Sequence, residues 1–329
     1  MPTIYDVAKK AGVSIATVSA VLNRTSFVSP ELTRRVNEAV RELDYTINHL
    51  AHSLQTKSTR TIGMLIPGEG TPDPFFGEVV RGAEDVFRKK GYLLIVGHTY
   101  NHVEEQTRYL AAFRARLVDG VLLFQAPGDD PELSRIVDKQ RPIVFVGRVP
   151  SGIEADIVAN DIAAGTRLGI EHLISKGHTR IALVTIEKSL SVAELRLEGW
   201  KRALRASKLP ADEELVVKTE MSVESSTSAM QRLLKVRNRP TAVFADNLLT
   251  TIGILKAIQE AGLSSPRDLE VVSSDDAEWL NVFRPAISTI VQPSYELGAR
   301  AAELLLKRIR HPKRPHEKVM LKPELRIRA

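Results

Sequence analysis

Residues 3–23 read TIYDVAKKAGVSIATVSAVLN, and this stretch decides how the rest of the chain is read. Val7, Ala8 and Ala11 recur at helical spacing, which predicts a short helix over Ile4 to Ala11 with one apolar side. Gly12-Val13-Ser14 breaks the pattern, and Gly12 can supply the left-handed conformation that a tight helix–helix turn needs. Ser14 is a good N-cap for a second helix, Ile15 to Asn23, whose Val18, Val21 and Leu22 share a face. Ser29-Pro30 then pairs an N-cap with proline at the first helical position, and Leu32, Val36, Ala39, Val40 and Leu43 keep helical spacing up to Asp44-Tyr45. Three short helices with a glycine turn between the first two describe a helix-turn-helix headpiece over residues 1–46.

From Arg60 the pattern changes. Apolar runs at Ile62–Ile66, Tyr92–Val96, Val121–Phe124, Ile143–Val146, Ile181–Val184, Ala242–Ala245, Val271–Ser273 and Ile287–Val291 read as strands. Amphipathic stretches between them, such as Phe75–Lys90, Glu104–Arg116, Gly165–Ser175, Leu195–Ser207, Ser226–Val236, Leu249–Ala261 and Tyr295–Ile309, read as helices. Strand–helix alternation of this kind builds parallel, doubly wound sheets. Residues 60–329 are long for one such sheet, so two sub-domains are predicted.

The chain has 329 residues with 43% hydrophobic and 26% charged, ordinary globular composition that argues against disorder. It contains no cysteine, which excludes disulfide scaffolds, thiol catalysis, zinc knuckles and iron–sulfur ligation together. Asp6 and Lys9 stand where a signal peptide needs an apolar run, and no stretch reaches the length of a membrane span. A cytoplasmic protein without a membrane partner is therefore expected.

The headpiece resembles the LacI/GalR (lactose-repressor) family of bacterial transcription regulators. The residues that carry the resemblance are Thr3-Ile4-Tyr5-Asp6-Val7-Ala8, Ala11-Gly12-Val13-Ser14, Thr17-Val18-Ser19, Val21-Leu22-Asn23 and Val28-Ser29, followed by Asn48 through Leu54 as a hinge segment. Asp73-Pro74-Phe75-Phe76, Lys90-Gly91-Tyr92, Val118-Asp119-Gly120-Val121, Gly177-His178, Arg196 with Gly199, Asp275-Asp276 and Gln292-Pro293 extend it along the core. The resemblance implies an α/β core of two Rossmann-like sub-domains, periplasmic-binding-protein-like, preceded by the all-α helix-turn-helix headpiece. The expected divisions are 1–46 for the headpiece and 47–59 for the hinge helix and linker. Residues 60–160 plus 291–320 would form the N-terminal core sub-domain, and 161–290 the C-terminal one, to which 321–329 returns. The expected function is a DNA-binding regulator, in all expectation a repressor, whose operator affinity is set by a sugar or sugar derivative bound between the sub-domains. It would be a homodimer on a palindromic operator, because one headpiece reads only a half-site.

On the DNA side, the N-terminal part of the second helix enters the major groove. Its outward positions are Ile15, Ala16, Thr17, Ser19 and Ala20, next to the cap Ser14. Many relatives carry arginine or another polar reader where this sequence has Ala20. Small apolar side chains touch a thymine methyl but make no bidentate bond to guanine or adenine, so weak direct readout is expected, with specificity shifted to DNA shape. The plainer reading of Ile15 and Ala16 is helix packing. Phosphate positioning would fall to Thr3, Tyr5, Thr17, Ser19, Asn23 and Arg24, each of which has capping or solvation as its alternative. By resemblance, Asn48, His49, Ala51 and Leu54 belong to a hinge helix that folds on DNA, with Leu54 wedging into the minor groove. Ile47 stands where a proline is common.

On the effector side, planar polar groups and aromatic rings beyond the carboxyl ends of strands suit a hydroxyl-rich ligand. Asp73, Phe75 and Phe76 follow the first strand, Gln125 the third and Arg148 the fourth, while Asn160 and Asp161 lie at the first crossover. Asp246 and Asn247 follow the 242–245 strand, and Asp275 follows 271–273. Arg196 is placed at a helix start and, by resemblance, reaches the cleft; Arg196 with Asp275 is the leading pair. One of Phe75 and Phe76 is expected in the core, Arg148 has a surface alternative, and Asp246-Asn247, reversed relative to many relatives, has a helix-capping one. Ser273-Ser274 replace a Gly-aromatic pair, which points away from simple hexoses.

An enzyme is the first rival class, and a free sugar-binding or transport protein, which explains the core but not the headpiece, is the second. Gly68-Glu69-Gly70 is the best phosphate-loop lookalike, but the third glycine of a dinucleotide motif falls on Asp73. No Walker loop or Gly-x-Ser-x-Gly elbow is present, so no catalysis and no cofactor are expected. His98 and His102 are four apart, a weak hint of metal against which a loop reading is preferred. The net charge of +6 divides unevenly: residues 1–60 carry +3, 61–306 carry −4 and 307–329 carry +7. Headpiece recognition therefore rests on geometry more than bulk charge, and the basic stretch from Lys307 to Arg328 reads first as solvated surface and second as extra phosphate attraction.

Overall fold

A computed structural model describes residues 2–23, 26–45, 58–67, 74–115, 118–128, 133, 141–148, 152–187 and 190–328. The chain divides into two compact units, Met1–Thr59 and Arg60–Ala329.

The first unit contains α1 (Ile4–Ala11), α2 (Ile15–Asn23) and α3 (Pro30–Glu42). The Thr3 amide and hydroxyl both donate to the Asp6 carboxylate at 2.8 Å, which fixes the first turn of α1 and holds the Asp6 carboxyl below its usual range. Gly12 ends α1 at φ +62°, the left-handed turn its position requires. Arg35 of α3 donates from Nη2 to the carbonyls of Ala11 (2.6 Å) and Gly12 (3.2 Å), so α3 is tied directly to that turn. A Cβ on residue 12 would meet this guanidinium at 2.5 Å, a second reason for glycine. Val7, Ala8, Ala11, Val18, Val36 and Ala39 form the small core.

The second unit holds two six-stranded sheets. Strands β1 (Thr61–Ile66), β2 (Leu93–His98), β3 (Gly120–Leu123), β4 (Ile143–Val146), β5 (Asp156–Asn160) and β11 (Lys318–Leu321) form one, in the order β11-β5-β4-β3-β1-β2. Strands β6 (Ile181–Ile186), β7 (Val216–Thr219), β8 (Ala242–Ala245), β9 (Glu270–Ser274), β10 (Ser288–Val291) and β12 (Glu324–Arg326) form the other, in the order β12-β10-β9-β8-β6-β7. All pairings are parallel except β10 with β12. Central strands β3, β4, β6, β8 and β9 are buried along their whole length, as two-faced coverage by helices demands. The covering helices are α4 (Pro74–Lys89), α5 (Val103–Ala115), α6 (Ile162–Ser175), α7 (Leu190–Ala206), α8 (Val223–Lys235), α9 (Leu248–Glu260) and α10 (Ser294–Arg310).

The chain passes between the two lobes three times: from β5 into α6, from β10 into α10, and from β11 into β12. Sequence reading finds the eight apolar strands and misses β5, β7, β11 and β12. The missed strands are short, and one of them carries a buried charge for a specific reason. Asp156 opens β5, fully buried, and accepts from Arg308 Nε at 2.7 Å and Nη2 at 3.1 Å. The same guanidinium donates to the carbonyls of Pro312 (3.0 Å) and Pro315 (2.9 Å), so it folds the loop that delivers β11. Arg308 is thus internal scaffolding, whereas Lys307, Arg310, Lys313, Lys318, Lys322 and Arg326 are exposed, in line with the reading of this stretch as solvated surface.

Helices α4 and α10 cross at a reciprocal glycine contact. A Cβ on Gly298 would lie 1.9 Å from the Val79 carbonyl oxygen, and one on Gly82 would lie 2.0 Å from that of Tyr295. Gly199 brings α7 equally close to α6, where a Cβ would sit 2.3 Å from the Ala163 carbonyl oxygen.

Candidate functional site

A cavity of about 800 Å³ lies between the lobes at the carboxyl ends of both sheets. From the first lobe it takes Phe75 and Phe76 of α4, Phe124 and Gln125 after β3, Arg148 after β4 and Asn160 at the end of β5. From the second come Arg196 of α7, Asp246 and Asn247 after β8, and Asp275 after β9. Of the sequence-predicted residues, Asp161 stands apart: its carboxylate caps α6, accepting from the Ala164 amide at 2.9 Å. Asp73 lies outside the described residues. Asn247 does both jobs, facing the cavity and accepting from the Thr250 amide at 2.9 Å as the cap of α9.

The polar centre is a buried ion pair. Arg196 is 5% exposed and its Nε pairs with Asp246, while its Nη1 donates to the Ser274 hydroxyl at 3.0 Å. Asp246 also accepts from the Thr185 hydroxyl at 2.6 Å and the Ile186 amide at 2.9 Å. These neutral donors and the guanidinium offset the cost of burying the carboxylate. One expectation is corrected here: Arg196 sits in the interior of α7 rather than at its start. It and Asp275 both line the cavity, and the ionic partner of Arg196 is Asp246. The side chain of Asp275 instead accepts from Gln292 Nε2. Gln292 Oε1 in turn accepts from Asn160 Nδ2 at 2.8 Å, so one amide at the second crossover bridges a residue of each lobe. The oxygen of the same Asn160 amide, Oδ1, is buried without a hydrogen-bond partner among the described residues.

Around this polar line the walls are apolar. Phe75 and Phe76 meet edge to face at 5.1 Å, and Phe76 meets Phe124 at 5.3 Å. Both Phe75 and Phe76 face the cavity while packing on the core, so neither is core alone. Arg148 is half-buried, donates to the Gln125 carbonyl at 2.8 Å, and is held below its usual pKa by burial rather than lying on open surface. Sequence reasoning passed over Ser274, Thr185, Gln292 and Trp279 as site residues. Gln292 was readable in the Gln-Pro motif, and Trp279 as one of only two tryptophans in the chain.

In the headpiece, Ser14, Ile15 and Ala16 are exposed at the start of α2, and Thr17, Ser19 and Ala20 are half-buried. Ile15 is 39% exposed and absent from the core cluster, which removes helix packing as its explanation. Ser14 accepts from the Thr17 amide at 3.1 Å, confirming it as the N-cap. Thr3 is tied to Asp6, and Tyr5 is 68% exposed on α1. The side chain of Asn23, and all of Arg24, Asn48, His49, Ala51 and Leu54, lie outside the described residues. Among the described residues no three His, Asp or Glu side chains gather as a metal site, and no helix is long and apolar enough to cross a membrane.

Comparison with known proteins agrees along the whole length. Residues 3–48 match the bacterial regulatory proteins of the lacI family, and residues 170–329 match a periplasmic binding protein-like domain. The chain is 35% identical to the transcriptional repressor PurR of Vibrio atlanticus, over 97% of this chain and 94% of that one. It is also 35% identical to the ribose operon repressor of Escherichia coli, over 100% and 99% of the two chains. Among solved structures, the Lac repressor dimer bound to operator and an anti-inducer superposes with a TM-score of 0.86 at 28% identity, covering 98% of this chain and 97% of that one. A LacI-family regulator from Enterococcus faecium with bound ribose superposes at 0.72 and 31% identity, covering 81% and 97%. The chain belongs to the LacI family of bacterial regulatory proteins. It is a DNA-binding transcription regulator and not an enzyme.

Proposed function

We propose that this regulator is a cytoplasmic repressor whose hold on a palindromic operator is set by a small, hydroxyl-rich effector, a sugar or sugar derivative, in the interlobe cavity. The observation that carries this reading is the buried Arg196–Asp246–Ser274 group beside Asp275, Gln292 and Asn160 in an otherwise apolar chamber. Carboxylate oxygens and guanidinium nitrogens in such a row pair with vicinal hydroxyls, and the phenylalanines suit the apolar face of a ring. Asn247, Gln125 and Arg148 would complete the ligand set. The ribose and cellobiose complexes among the similar structures support the same class. The test is a thermal-shift screen of the full chain against neutral pentoses, hexoses, sugar acids and nucleobases. Ligands that bind the folded state raise its melting temperature. A hydroxyl-rich ligand is expected to do so, and a response to nucleobases alone overturns the sugar assignment.

The active species is a homodimer in this reading. Leu93 and Ile95 are exposed on β2, the edge strand of the first sheet, which suits pairing with a second copy. Effector binding would alter the closure of the lobes and, by reciprocal coupling, the affinity for DNA. On the DNA itself, Ile15, Ala16 and Ala20 would give apolar contact, and Thr3, Tyr5, Thr17, Ser19, Asn23 and Arg24 phosphate contact. Selection of operators from a random pool is therefore expected to yield no strong guanine requirement opposite Ala20. Recovery of an invariant guanine there would refute readout by shape.

A further inference from the structure

Asp275 holds φ at +76°, a left-handed backbone that a non-glycine residue keeps only where its surroundings impose it. Its amide donates to the Ile290 carbonyl at 2.9 Å, and its own carbonyl accepts from the Ser273 hydroxyl at 3.3 Å. The next carboxylate, Asp276, is held from outside the cavity. It accepts from Thr289 Oγ1 at 3.2 Å, from Arg326 Nη1, and from Arg328 Nη2 at 2.6 Å. The Arg328 side chain is 10% exposed and its fork reaches further. Its Nη2 and Nε donate to Asn281 Oδ1 at 2.9 and 3.3 Å, and its Nη1 donates to Thr289 Oγ1 at 2.9 Å. One guanidinium thus ties both ends of the segment 276–281, which carries Trp279 on the cavity wall.

We infer that Arg328, assisted by Arg326, is a positioning residue of the effector cavity. It acts through Asp276 to keep Asp275 in its left-handed turn and through Asn281 to keep Trp279 at the wall. An edge strand needs only its ladder bonds to β10; three further donations from one largely enclosed guanidinium, to Asp276 and twice to Asn281, fix the loop as well. The planar fork spans three acceptors at once, which a lysine ammonium does not. The effect on effector affinity rests on the cavity being the effector site, whereas the positioning of the loop does not.

The test uses the full chain with Arg328→Met, Arg328→Lys and Asp276→Asn, read by amide hydrogen exchange. In all three, amides 275–281 are expected to exchange at least about 10-fold faster, with β6 and β8 unchanged, because local opening is cheaper once the loop is released. Combining Arg328→Met with Asp276→Asn is expected to add little for the Asp275 amide, since both act through one contact. Exchange within two-fold of wild type across 275–281, or restoration by lysine, overturns the inference. Loosening of β10 and β12 together with the loop also overturns it, because that marks a merely structural edge. Should Arg328→Met fail to fold, Asp276→Asn alone decides by the same readout. D-ribose is the binding probe: affinity roughly 10-fold weaker in Asp276→Asn supports the coupling to the site, and equal affinity refutes it. If no sugar stabilises the wild-type chain, the reading of the cavity falls while the exchange experiment still decides the role of Arg328.

Discussion

Replacing Arg196 with methionine is expected to abolish the response to effector and to lower the stability of the core by about 3–5 kcal/mol. Methionine matches the length of the aliphatic stem but removes the guanidinium that pairs with Asp246 and donates to Ser274. What remains is a carboxylate, 3% exposed, that still accepts from Thr185 and Ile186 but has lost its cation. Removing one partner of a buried pair costs more than the pair contributes, because the survivor stays buried. The double variant Arg196→Met with Asp246→Asn separates the two effects. It is expected to recover much of the stability, measured by urea unfolding, and none of the effector response. In the proposed site, loss of one charge-assisted hydrogen bond from Arg196 to a ligand hydroxyl corresponds to roughly 10-fold or more in affinity. A methionine variant that melts within about 1 °C of wild type and still responds to effector would sink both parts of the argument.

Gly298→Ala is the second large effect. A methyl group there must occupy the space of the Val79 carbonyl, a backbone atom that no rotamer change can move aside. The helices must separate, and overpacking of this severity costs roughly 3 kcal/mol or more, about 10 °C in melting temperature for a lobe of this size. The control is Gly77→Ala, where a Cβ meets nothing within 4 Å and the alanine is expected to be neutral or slightly stabilising. Phe75 stands at the start of α4 and Gln292 two residues before α10, so separating the helices also moves two cavity residues. A reduced effector affinity is therefore expected even in cool solution where the variant remains folded. Equal melting of the two glycine variants would show that the contact is looser than drawn.

Legibility in the sequence follows what each element is made of. The headpiece is fully readable because Gly12, Ser14 and Ser29-Pro30 are local signals, and the structure uses them locally. The eight apolar strands are readable because two-faced burial writes itself as unbroken hydrophobic runs. β7, β11 and β12 are not, since an edge strand needs few apolar residues, and β5 hides behind Asp156, whose partner Arg308 lies 152 positions away. The cavity residues are found by their place after strands, a topological rule. Pairings among them are not found, because which carboxylate meets Arg196 depends on the rotation of α7 on its sheet. That rotation is set by Gly199 lying against Ala163, a packing detail with no local sequence signature.

The threefold passage of the chain between lobes has a consequence for biosynthesis. The three helices of the headpiece emerge first from the ribosome, and among the described residues their core draws on nothing after Tyr45. Neither sheet of the core is complete until β11 and β12 arrive at residues 318–326, because each supplies one strand to a different lobe. Long-range closures of this kind fold slowly and late. During synthesis, therefore, the capacity to touch DNA precedes the capacity to sense a ligand by almost the whole length of the polypeptide. A chain cut short before β11 would leave both sheets one strand short, so the headpiece would be made without a finished core behind it.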